Sequence, residues 1–125
     1  MDLSTAEVRS GLATIITNLF DLWGLSGKER LQLLGLSPNS RSSLKGYRQG
    51  KPLPNRPDLL ERVGYLLAMH KSLGLLFPYN ADIKTSWIRK RNKAFDNSTP
   101  LDLMISEGLI GLAKVSRYLD RTTMS

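Results

Sequence analysis

The residues of this chain that are equipped for chemistry are few, and their spacing argues against catalysis. His70 is the only histidine. Leucines surround it in a long amphipathic stretch, so it reads as a core or boundary side chain. There is no cysteine, which removes disulfides and thiolate metal sites and leaves His70 without a ligand to share a metal. Asp58 and Glu61 stand at a helix start, where capping and charge–dipole roles suffice for them. No nucleophile sits beside a base, and no glycine-rich phosphate loop follows a strand. An enzyme is not expected, nor a metal or any other cofactor.

What the chain offers instead is positive charge in two places. Its 125 residues hold 18 Lys and Arg against 11 Asp and Glu, a net charge of +7. A basic balance favours nucleic acid, acidic partners or anionic surfaces. From Leu36 to Pro57 come Arg41, Lys45, Arg48, Lys51 and Arg56 with no acid among them. From Lys84 to Lys93 come Lys84, Arg89, Lys90, Arg91 and Lys93, again without an acid. The first segment, from Met1 to Phe20, shows no basic region ahead of an apolar core and no small-x-small cleavage site. Apolar runs also fall well short of the roughly 20 residues that span a bilayer. A cytoplasmic protein without membrane attachment is expected.

The elements that must position these groups are all helical in period. Ser4 to Glu7 reads as a capping box opening a helix over about 5–23, with Val8, Leu12, Ile15, Ile16, Leu19 and Trp23 inward and Gly24 as its stop. Ser26 to Glu29 repeats the signature ahead of a short helix ending at Gly35. A third helix over about 40–49 turns Leu44 and Tyr47 inward, and a proline-rich connector, Gly50 to Pro57, follows. The longest helix, about 58–77, carries Leu59, Val63, Leu66, Leu67, His70, Leu73 and Leu76 on one side. Asn80 caps a helix through about Arg91 that holds Trp87 inward, and 92–98 is a loop. Thr99 caps a helix with Pro100 at its first position. The last helix, about 108–120, has Leu109, Leu112, Val115 and Leu119 as its stripe. Nothing alternates at period 2. The fold class is all-α, a small helical bundle, with one half over 1–57 and the other over 58–125.

Two short helices joined by a Gly-Leu turn, the second of them basic, suggest a helix-turn-helix. In that reading Asn39, Ser40, Arg41, Ser42, Lys45 and Arg48 face outward, with side chains suited to phosphates and base edges. Two features pull against it: Gly46 inside the recognition helix costs about 1 kcal/mol relative to alanine, and Arg41 stands where an apolar residue is commoner. A solvated basic helix is the plainer alternative. Dimerisation is expected, because helix-turn-helix proteins read pseudo-palindromic sites as dimers. The cluster Arg89, Lys90, Arg91 and Lys93 is by default a solvated face, and its density equally suits an acidic protein rim or phosphates.

The run Trp87-Ile88, Asn92, Phe95, Thr99-Pro100-Leu101-Asp102-Leu103-Met104, Gly108, Gly111-Leu112, Val115 and Tyr118-Leu119 resembles the Xre/MbcA/ParS toxin-binding domain. Leu33-Leu34-Gly35-Leu36-Ser37 and Gly50-Lys51-Pro52-Leu53 resemble the Xre-type half of the same antitoxins, so the likeness covers about 26–120. The resemblance implies an antitoxin that neutralises a RES-domain, NAD-consuming toxin by direct contact and represses its own operon through operator DNA. On that reading Arg89, Lys90, Arg91, Lys93, Lys114, Arg117, Tyr118 and Arg121 face the toxin, and the tail Arg121 to Ser125, frayed by itself, orders on binding. Asp96-Asn97 departs from the family pattern, which often has glycine there; asparagine tolerates a left-handed backbone better than most residues. The alternative is a stand-alone helix-turn-helix regulator whose C-terminal half only dimerises.

Overall fold

The computed structural model describes residue 2 and residues 4–124. Those residues hold seven α-helices and no strand, apart from one isolated antiparallel bridge between Asn92 and Ser98. The all-α expectation holds. The chain forms two compact units, Met1–Gly64 and Tyr65–Ser125, which divide within the fourth helix.

In the first unit, α1 spans Ala6–Leu22. Its N-cap is Thr5, not Ser4: the Val8 N–H donates to the Thr5 hydroxyl at 3.2 Å. Ser4 is diverted because both its N–H and its hydroxyl donate to the Asp2 carboxylate, at 2.8 and 2.5 Å. Ala13, Ile16, Leu19, Phe20 and Trp23 are buried, whereas Ile15 is 51% exposed. A residue adjacent to Ile16 is turned about 100° away from the stripe, so Ile15 does not point inward as its type suggested. α2, Gly27–Leu34, opens with the expected capping box: Glu29 N–H to Ser26 Oγ at 3.1 Å, and Ser26 N–H to Glu29 Oε1 at 2.9 Å. It ends at Gly35, whose φ of 71° is left-handed.

The third helix lies where its period places it, and a tighter turn leads into it. Pro38–Ser40 is a single 3₁₀ turn capped by Ser37, and α3 proper is Arg41–Arg48. Ser40 makes no side-chain cap. At its far end Gly50 takes φ 91°, the Gly50 N–H donates to Tyr47 O, and the Lys51 N–H donates to Gly46 O at 2.9 Å. That pair of bonds is a Schellman closure. The connector behind it is extended and tied to α1. Leu53, fully buried, donates its N–H to Arg9 O at 3.3 Å and accepts from Arg9 Nη1 at 2.7 Å, and the Ser10 hydroxyl donates to Gly50 O. α4 spans Pro57–Leu76. From its first turns Arg62 reaches back to the Gln32 and Leu33 carbonyls, placing a cation where the α2 dipole is negative.

In the second unit, the stripe of α4 continues through Leu66, Met69 and Leu73, all buried, while His70 is exposed. His70 is thus neither core nor boundary. Met69 takes the position three residues on from Leu66 and four before Leu73, and that spacing turns His70 outward. Asn80 caps α5, Ala81–Ser86, as expected, with the Ile83 N–H at 3.1 Å from its Oδ1. The helix does not run on to Arg91; it tightens into a 3₁₀ turn over Trp87–Arg89 that buries Ile88 and leaves Trp87 half-buried. Across 92–98 the chain makes a second 3₁₀ turn, Lys93–Phe95, and then Asp96 and Asn97 both take positive φ, 55° and 65°.

Thr99 then caps α6, Pro100–Glu107, with the Asp102 N–H at 3.0 Å from its hydroxyl. Gly108, at φ 63°, is the sole residue between α6 and α7, Leu109–Thr123. Pro100, Leu101, Met104, Leu112, Val115 and Leu119 are buried. Gly111 permits the hairpin to close: a Cβ built there would stand 2.5 Å from the Leu103 carbonyl oxygen. The segment expected to fray is helical to Thr123, with Met124 as its cap; Ser125 lies outside the described residues. None of the helices among the described residues is long and apolar enough to cross a membrane.

Candidate partner-binding faces

The first unit presents a cationic cleft between the start of α2 and the outer side of α3. It has a volume of about 300 Å³ and is lined by Gly27, Arg30, Arg41, Leu44, Lys45 and Arg48. The helices bring these groups together as a helix-turn-helix would: α2 and α3 pack on each other, and α1 packs on α3. Arg41 bends back over the first turn of α2, where a Cβ on Gly27 would lie 3.1 Å from its Cζ. A guanidinium beside a helix N-terminus adds full charge to the positive end of the dipole, an arrangement that favours a bound anion.

One carboxylate organises the rest. Asp21, at the end of α1, accepts two bonds from Arg48, at 2.7 Å each, and one ion pair from Arg30 at 2.9 Å. The Arg48 hydrogen bonds, opposed by partial desolvation and helped by Arg30, bring the Asp21 carboxyl down to about 2. The same bonds raise the Arg48 guanidinium. Arg30 is also held by the Leu25 carbonyl at 3.0 Å and lies over the Phe20 ring at 5.9 Å. Arg30 and Arg48 therefore pin α2 and α3 to α1. Among the described residues Arg41 and Lys45 carry no ion pair.

Of the six positions read as facing DNA, Asn39, Arg41, Ser42, Lys45 and Arg48 are exposed and Ser40 is half-buried. The structure brings Arg41, Lys45 and Arg48 to one cleft and leaves Asn39 and Ser42 off its lining. Arg30 was not among the candidates. Its role is legible only once Asp21 is known to stand next to both arginines, which no local pattern shows.

The second unit presents a different kind of face. Tyr118 is sandwiched: Trp87 stacks on it at 6.3 Å and 16°, and Phe95 meets it edge-on at 5.1 Å and 68°. Offset and edge-to-face pairs of this kind are worth about 0.5–1.5 kcal/mol each beyond the area they bury. The trio holds the 87–95 turns against α7. Tyr118, read as a partner contact, is half-buried and engaged within the unit. Arg89, Lys90, Arg91 and Lys93 are exposed on those turns. Lys114, Arg117 and Arg121 are exposed on α7, at spacings that put them with Tyr118 along one side of the helix. Lys114 is paired with Glu107 at 2.6 Å. Arg117 joins Lys71, Leu75, Asp120 and Thr123 around a groove of about 460 Å³ between α4 and α7. Apolar side chains that sequence periodicity did not flag also face solvent here, among them Leu75 and Ile110 at 64% and 66% exposure.

Both faces coincide with known domains. Residues 2–68 match the antitoxin Xre-like helix-turn-helix domain, and residues 72–123 match the antitoxin Xre/MbcA/ParS C-terminal toxin-binding domain. The chain belongs to the Xre/MbcA/ParS-type antitoxins. This antitoxin is also 34% identical over 100 residues to uncharacterized protein y4oB of Sinorhizobium fredii (strain NBRC 101917 / NGR234), an alignment that spans 80% of the antitoxin and 74% of the relative. Its role is that of the antitoxin in a toxin–antitoxin pair, and the family domains are those of a regulator rather than an enzyme. Among the described residues no group of three His, Cys, Asp or Glu gathers to hold a metal ion.

Proposed function

We propose that this antitoxin neutralises a RES-domain, NAD-consuming toxin in the cytoplasm by covering it, and that as a homodimer it represses its own operon by binding operator DNA. The first unit is the DNA reader and the second the toxin binder. The observation that carries the reading is the overlap between the toxin-binding domain and a solvent-facing cationic stripe, Arg89 to Lys93 and Lys114, Arg117 and Arg121. A surface with an excess of cations steers an acidic rim on the partner and speeds encounter. Inhibition needs no chemistry from this chain, only occupancy of the toxin surface. For the DNA half, the support is the cleft at the start of α2, where Arg41 and Lys45 face solvent without an acidic partner.

The test is co-expression with the product of the neighbouring gene. We expect stoichiometric co-purification and, in cells, NAD levels that fall with the neighbour alone and recover when this chain is present. A neighbour that fails to bind, or that depletes NAD equally in both cases, sinks the toxin half. The second reading, a stand-alone regulator, is favoured by the same α2–α3 cleft, and it predicts duplex binding with no toxin partner.

A further inference from the structure

Gly46 sits inside α3, where glycine weakens a helix. A Cβ at that position would stand 2.9 Å from Lys51 Cδ, 3.6 Å from its Cγ and 3.7 Å from its Cβ. The stem of Lys51 thus lies in the notch that Gly46 leaves open. Its backbone is fixed on both sides: the Lys51 N–H bonds Gly46 O, and the neighbouring Gly50 and Leu53 are tied to Ser10 and Arg9 of α1. Around the notch lies a pocket of about 430 Å³ whose lining includes Ser42, Ser43, Lys45 and Gln49. Neither Lys45 nor Lys51 has an ion pair among the described residues.

From this geometry we propose that Lys51, outside the recognition helix, is a phosphodiester contact of the DNA-binding face, and that Gly46 is the notch that aims it. The two lysines, the serine hydroxyls and the Gln49 amide around this open pocket are groups of the kind that hold a DNA backbone. Holding the stem against α3 removes rotamer freedom before binding, so less entropy is lost on contact. The proposal rests on the DNA-binding reading and adds a residue and a positioning device to it. A phosphate contact carries no sequence information, so its loss weakens all duplexes alike.

The experiment uses the full chain and two duplexes of equal length, one from immediately upstream of its gene and one of shuffled sequence, titrated across salt. Lys51→Met keeps the stem and removes the charge; it is expected to weaken both duplexes about equally and to flatten the slope of log affinity against log salt by about 0.9. Gly46→Ala is expected to raise the melting temperature by roughly 3–6 °C, as alanine improves the helix, while weakening both duplexes. In the Lys51→Met background Gly46→Ala is expected to cost no further affinity. Lys45→Ala is the control. If it weakens binding while Lys51→Met and Gly46→Ala do not, the proposal is overturned and DNA binding stands. It is also overturned if Lys51→Met only lowers the melting temperature, since Lys51 is then a cap for the α3 dipole. If the unaltered chain shows no salt-dependent binding to either duplex, the DNA reading falls and takes the proposal with it.

Discussion

Asp21 is the residue that joins α2 and α3 to the end of α1, because it holds Arg30 and Arg48 at once. Its carboxyl is held down to about 2 against an ordinary 3.8. A depressed carboxylate stabilises the fold above its unfolded pKa and loses that contribution as pH falls through the folded one. The window for Asp21 is therefore about 4 down to about 2. Its side chain is 40% exposed, so solvent screening reduces the contribution to about 1 kcal/mol or less. Asp21→Asn should cost that much in urea unfolding at neutral pH, and the difference should vanish near pH 2; a constant difference down to pH 2 would contradict the assignment. At this scale the sequence spoke unevenly. Asn97 in a left-handed turn was foreseeable from its chemistry, and Asp96 beside it shares that backbone. The Asp21 pairing was not, since 27 residues separate it from Arg48 and only packing brings them together.

At the scale of elements, caps were the most readable feature. Ser26, Asn80 and Thr99 each accept the bond their spacing implied, because a cap depends on three or four consecutive residues. Ser4 was misread because a competing acceptor, Asp2, lay two residues upstream. The orientation of α4 was misread at one point for a different reason: periodicity allows a residue on either side of the stripe, and packing chose Met69 over His70. The α6–α7 hairpin supplies the prediction that belongs here. Gly111→Ala forces a methyl against the Leu103 carbonyl and should destabilise by about 2–3 kcal/mol in denaturant unfolding. Gly74→Ala, with nothing within 4 Å of the added carbon, should be neutral or slightly stabilising. Equal effects at the two positions would show that helix propensity, not close approach, governs both.

Across the whole molecule, a net charge of +7 resolves into two faces with different surroundings. One lies about a helix N-terminus and hydroxyls, the other about aromatics and exposed aliphatics. The fold class and the family were legible because they rest on helix period and on short motifs. Which cations face solvent unpaired was not, since Arg48 and Lys114 turned out to be engaged while Lys51 lies in a notch. The two proposed roles should therefore separate by mutation. Arg41→Ala with Lys45→Ala should weaken duplex binding by roughly tenfold or more and leave the toxin complex intact, while Arg117→Glu with Arg121→Glu should do the reverse. Pull-down and duplex titration on the same preparations decide it, and loss of both functions by either pair would refute the division.

The single-residue link at Gly108 has a kinetic side. Joining α6 to α7 through one residue makes the contacts between them local in sequence, so little loop entropy opposes their formation. After a transient opening the two helices have little chain to search before they meet again. The exposed cations of α7 are therefore carried on a substructure whose closure asks little of the rest of the chain.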